Sequence, residues 1–153
     1  MSAAPVIRLT GVYNAEGSLL GELRYVVGGR LGRTHCALCE ITHGHVREKA
    51  AWRRARRRLA VPFTAVHLDE RDQREREASD GRTPCVLAHT ADDVRVLLGP
   101  VELERCAGDP DALVAAVERA LAGAQPVGVR RLFEHASGGR LRRRWLIRHM
   151  SRE

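Results

Sequence analysis

The sequence predicts an α/β domain with a four-stranded mixed sheet flanked by helices. Three observations point to it. Four short segments are rich in β-branched and apolar residues and are bounded by turn residues. Helical patterns separate the first three, and strands separated by helices imply parallel pairing. The last two are joined by Thr90-Ala91-Asp92-Asp93, a hairpin turn that adds an antiparallel edge. A chain of 153 residues with 44% hydrophobic content can bury one core.

The first strand is Val6-Ile7-Arg8-Leu9-Thr10-Gly11-Val12-Tyr13, ended by Asn14-Ala15-Glu16-Gly17. Leu19, Leu20, Leu23, Val26, Val27 and Leu31 then recur at helical spacing. After the cysteine segment, His45 to Leu59 reads as one charged helix whose arginines form a solvated face. Pro62 opens the second strand, Phe63 to Leu68. Residues 69–78 form a mixed-charge helix with no apolar stripe, which places it on the surface. Pro84 to His89 is the third strand and Val94 to Leu98 the fourth. A short helical segment begins at Gly99-Pro100 and ends near Cys106. Asp109-Pro110-Asp111 is a strong helix start, with an Asp cap and Pro at the first helical position. Leu113, Val114, Val117 and Leu121 give that last helix one apolar face, and Gly123 and Pro126 close it.

Charge divides the chain in two. The net charge is +7, and 25 of the 26 basic residues are Arg, the exception being Lys49. Residues 126–153 carry a net +6, which leaves the domain body of residues 1–125 near neutral. The basic C-terminal extension also contains Leu141, Trp145, Leu146 and Ile147, an apolar set suited to packing on the domain or on a second copy in a homodimer. Aromatic residues make up only 4% of the chain, too few for the stacking platforms of a nucleic-acid binder. No apolar run approaches the roughly 20 residues needed to span a bilayer. The first residues lack the basic start and apolar stretch of a secretory signal, so a cytoplasmic, reducing setting is expected. There, four cysteines read as thiols, redox groups or metal ligands, not as a disulfide framework.

The chemistry centres on His35-Cys36-Ala37-Leu38-Cys39. Cys36-Ala37-Leu38-Cys39 is a C-x-x-C, and Gly81-Arg82-Thr83-Pro84-Cys85-Val86-Leu87 is a Thr-Pro strand start. Together with the order of elements, these residues resemble the thioredoxin-like superfamily, whose fold runs βαβαββα. The resemblance covers roughly residues 5–123. It implies a thiol–disulfide function acting on a protein or small-thiol disulfide, with Cys36 as nucleophile and Cys39 as resolving thiol. It also implies a substrate groove shaped by Thr83 and Pro84, the strand-starting proline of that superfamily being cis.

The sequence departs from the family at one point. In thioredoxins the cysteines follow the first strand almost at once, whereas here residues 14–35 intervene. In one placement helix 18–31 is an extra helix, and Cys36 heads the helix that leads to the second strand. In the other, helix 18–31 is the family's first helix and the cysteine segment is an excursion away from the usual site. If Cys36 does begin a helix, unpaired backbone N–H groups favour its thiolate, the attacking species in disulfide exchange.

A metal reading uses overlapping residues. On a continuous helix Cys36, Cys39 and His43 fall at i, i+3 and i+7 on one face, with His45 just beyond. Thiolates and imidazoles suit zinc or copper. No second C-x-x-C or paired histidine motif completes a shell, so Cys85 or His67 would have to do so through the fold. A third reading makes the cysteines small buried hydrophobes in an interaction module. Cys85 reads as a core residue and the best third-thiol candidate. Cys106 reads as an inert thiol in a surface-leaning segment. His67 ends the second strand, where parallel sheets border ligand crevices.

Overall fold

The computed structural model describes residues 4–15, 36–44 and 47–124. Four strands form one sheet: β1 Arg8–Val12, β2 Phe63–Val66, β3 Cys85–His89 and β4 Val94–Leu98, in the order β2-β1-β3-β4. Five helices are described: α1 Ala37–Thr42, α2 Ala50–Arg56, α3 Gln73–Ser79, α4 Pro100–Glu104 and α5 Pro110–Ala124. The α/β class and the mixed four-stranded sheet are those the sequence predicts.

Pairing differs from the expectation in one respect. β2 runs parallel to β1, and β3 and β4 form the antiparallel hairpin. A helix also separates β2 from β3, yet β3 lies on the far side of β1 and antiparallel to it. Val66 and Cys85 both sit opposite Val12, so the chain leaves and re-enters the sheet at the same end and must run back. That end therefore gathers the residues just after β1, those just after β2 and those just before β3.

The charged helix expected over 45–59 forms over a shorter stretch, as α2 Ala50–Arg56. Two helices, α1 and α2, flank a turn in which Thr42 O accepts from Lys49 N–H and Gly44 N–H bonds Arg47 O. Lys49 Nζ then donates to the carbonyls of Glu40 and Gly108, tying the end of α1 to the loop before α5.

The two faces of the sheet are covered differently. On the first face, α1, α2 and α5 bury Leu9, Val86, Ala88 and Leu98 of the sheet beneath Leu38, Ile41, Trp52 and Leu113. Trp52 meets Phe63 edge-on, with ring centroids 4.9 Å apart. Gly11 lets α1 approach closely: a Cβ there would stand 2.9 Å from Phe63 and 3.0 Å from Leu38. The second face holds Val12, Cys85 and Leu87, packed by Val66, Val94, Val96 and Ala78.

The second-face helix α3 corrects the surface placement. Glu75 and Ser79 are buried. Thr10 Oγ1 donates to Glu75 Oε1 at 3.1 Å, and His89 Nε2 lies 2.9 Å from that hydroxyl. Glu75 also closes a capping box with Asp72. The helix docks through bonded polar groups, which burial tolerates, and an apolar stripe is not needed. Cys106 is likewise not surface-leaning: it is buried between α4 and α5, its thiol 3.4 Å from Glu102 O. The start of α5 is as expected, with Asp109 Oδ1 accepting from Asp111 N–H at 2.9 Å.

Among the described residues no helix is long and apolar enough to cross a membrane. The helix expected at 18–31 and the extension 126–153 lie outside the described residues.

Candidate active site at the cysteine pair

Cys36 is the N-cap of α1, with extended backbone (φ −131°, ψ 96°), and Cys39 lies one turn later. Cys36 thus heads a helix, and residues 18–31, on which the two placements differ, lie outside the described residues. The i, i+3 spacing puts both sulfurs on one side of the first turn. Cys36 Sγ accepts from Cys39 N–H at 3.4 Å and from the Cys39 thiol at 2.6 Å. All four cysteines are free thiols. A covalent S–S bond is about 2.05 Å, so closing the pair requires little movement of either residue.

The two thiols have opposite character. The hydrogen bond from Cys39 lowers the Cys36 pKa to about 6, helped by backbone N–H groups of Asn14, Cys39 and Leu38 and opposed by burial. Cys36 is therefore mostly thiolate at neutral pH. The same bond pushes Cys39 far above the ordinary thiol range, and burial and the Cys36 charge add to it. Cys36 is thus the more readily ionised of the two and Cys39 the one that favours its proton.

The end of β1 supplies the surroundings. Tyr13 is buried, and burial raises its pKa to about 12. Thr42 donates its only hydroxyl proton to Leu38 O at 2.8 Å, so the Tyr13 hydroxyl donates to Thr42 Oγ1, 3.1 Å away. The Tyr13 ring stands between His43, edge-on at 5.7 Å, and His67, tilted at 5.2 Å. His67 Nδ1 is 2.8 Å from Glu70 Oε2. The His67 backbone N–H and then its ring hold the Glu70 carboxyl below its usual range. The sequence-based placement of His67 at a crevice-bordering strand end thus brings it to the same neighbourhood as the cysteines.

Thr83 and Pro84 reach this end of the sheet through the start of β3. The Thr83-Pro84 peptide bond is cis. Thr83 Oγ1 donates to Asn14 Oδ1 at 3.1 Å, and the Asn14 backbone N–H helps lower the Cys36 pKa. Tyr13, Asn14 and Thr42 were not singled out in the sequence. Their only signal was their place beside the end of a strand or of the cysteine-bearing helix.

The metal set is not assembled in the way the spacing suggested. α1 ends at Thr42, and His43 is an extended C-cap (φ −120°, ψ 145°), so it leaves the helical face carrying Cys36 and Cys39. Its Nδ1 lies 2.8 Å from Thr42 Oγ1. Among the described residues no group of three or more His, Cys, Asp or Glu is arranged to hold a metal ion. His35 and His45 lie outside the described residues. Cys85 points to the second face of the sheet, away from the pair, and burial raises its pKa to about 11. Comparison with protein-family models, curated proteins and solved structures finds no match for this chain.

Proposed function

We propose that this chain is a thioredoxin-like thiol–disulfide redox protein that works through Cys36 and Cys39. The observation that carries the reading is the close approach of the pair: the two sulfurs lie 2.6 Å apart at the start of α1. The sheet order and a cis Thr83-Pro84 bond at the same sheet end support it. Residues 1–125 would carry the reaction and residues 126–153 a basic extension.

In the proposed reaction the Cys36 thiolate attacks one sulfur of a substrate disulfide. The other substrate sulfur leaves as a thiolate and takes a proton from water. Cys39 then gives up its proton and attacks Cys36 Sγ, forming the Cys36–Cys39 disulfide and releasing the second substrate thiol. The substrate gains two electrons and the protein loses two. An external dithiol restores the reduced pair.

Turnover of a self-quenched peptide disulfide with dithiothreitol as reductant tests the reading. The wild-type chain is expected to accelerate reduction. Cys36→Ser is expected to abolish the acceleration, and Cys39→Ser to stop at a mixed disulfide visible by intact mass. Equal rates for wild type and Cys36→Ser would refute it.

A further inference from the structure

Residues 13–15 are held from three sides. Tyr13 N–H donates to Val66 O and Leu68 N–H donates to Ala15 O, each at 3.0 Å, so the segment runs on beside the extension of β2. From the other side, Thr83 Oγ1 donates to Asn14 Oδ1 at 3.1 Å. On the α1 side, the Asn14 backbone N–H is among the groups that lower the Cys36 pKa. One residue therefore neighbours the Cys36 sulfur with its main chain and bonds the residue before Pro84 with its side chain. Thr83 is half-buried and Pro84 is buried, so a shift of the Thr83 hydroxyl would move the start of a central strand.

We propose that Asn14 is a positioning residue that registers the Thr83-Pro84 segment against Cys36, so that a peptide disulfide lying along that segment is presented to the sulfur. The inference rests on the thiol–disulfide reading above and adds the residue that couples groove to nucleophile. The division of labour within Asn14 makes it testable. Replacing the side chain cuts the link to Thr83 and leaves the backbone N–H on Cys36 intact. Groove and nucleophile can thus be separated by mutation.

The experiment is a double-mutant cycle on the full chain, with the peptide disulfide and dithiothreitol. Asn14→Ala is expected to raise KM about fivefold, the size of one neutral hydrogen bond, with kcat within about twofold. Thr83→Val should do the same, and the double variant should be no worse than either single one. Thr83→Ser, which keeps the hydroxyl, should keep the wild-type KM. Alkylation of Cys36 by iodoacetamide, which needs no groove, should be unchanged in all of them. Multiplicative effects in the double variant, an unchanged KM in Asn14→Ala, a raised KM in Thr83→Ser, or slowed alkylation in Asn14→Ala would each overturn the inference. In those cases turnover through Cys36 remains, and the thiol–disulfide reading stands. If the wild type does not turn over the peptide, both fall together. Should Asn14→Ala not fold, the contrast between Thr83→Val and Thr83→Ser decides the matter.

Discussion

Cys36 and Cys39 differ because their sulfurs lie 2.6 Å apart and do not both ionise: Cys36 is lowered in pKa and Cys39 raised. Their reactivities should separate accordingly. The rate of Cys36 alkylation by iodoacetamide is expected to rise through a midpoint near pH 6 and to level off by about pH 7. Over that range Cys39 and Cys85, both raised in pKa, should stay unmodified. Cys39→Ala removes the donor and should move the midpoint up, toward the ordinary thiol value of about 8.5. A midpoint unchanged by Cys39→Ala would mean that the backbone donors alone hold the thiolate. The same groups set the pH dependence of stability. A lowered folded-state pKa means that the unfolded chain binds more protons between about pH 6 and the ordinary thiol range, so Cys36 makes stability rise with pH there. Above that range the unfolded chain ionises thiols that the folded chain keeps protonated, at Cys39, Cys85 and Cys106, and stability should fall. Urea midpoints measured across pH under reducing conditions are expected to pass through a maximum. At this scale the sequence made the cysteine pair legible through its spacing. It did not reveal Tyr13 or Asn14, because their roles depend on which strand end the fold brings to the cysteines.

Each helix is held by a different device, and the devices decide how much of it the sequence could show. α5 was legible because its cap and apolar face are local: Asp109 bonds the first turn, and Leu113, Val114 and Val117 are buried. α3 was legible as a helix but not in its placement, because it docks through Glu75 to Thr10, 65 residues away. Glu75→Ala removes the capping box together with the bond to Thr10. It is expected to destabilise the fold by about 2–3 kcal/mol, read as a lower urea midpoint; an unchanged midpoint would show that α3 contributes little. α2 was legible as a charged helix, though it is shorter than the expected 45–59. Its start was not, because the turn before it is tied by Lys49 to Glu40 O in α1 and to Gly108 O, 59 residues away. The metal reading needed His43 on the same helical face, so it depended on α1 running past Thr42. On the first face, Gly11→Ala would press a methyl group against Phe63 and Leu38. An overpacked position of this kind costs about 1–3 kcal/mol. Thermal unfolding should register the loss, and wild-type stability would show that α1 can move away from the sheet.

At the scale of the molecule, the topology positions the chemistry. β1 is central, both ends of the connection between β2 and β3 lie opposite Val12, and α1 delivers Cys36 to the residue after Tyr13. The sequence anticipated the class and the mixed sheet, since both follow from strand-like segments alternating with helical ones. It missed the antiparallel partnership of β1 and β3, a property of where a connection re-enters the sheet and not of local pattern. In the proposed function Cys36 and Cys39 form one redox pair, while Cys85 and Cys106 are buried in the core. The most direct measurement is peptide mapping by mass spectrometry after equilibration of the purified chain with glutathione disulfide. The expected result is one intramolecular disulfide joining Cys36 to Cys39, the loss of two free thiols, and Cys85 and Cys106 unmodified. It would be contradicted if all four thiols remained free, or if Cys36 and Cys39 became reactive only after a chelator had released a stoichiometric metal ion.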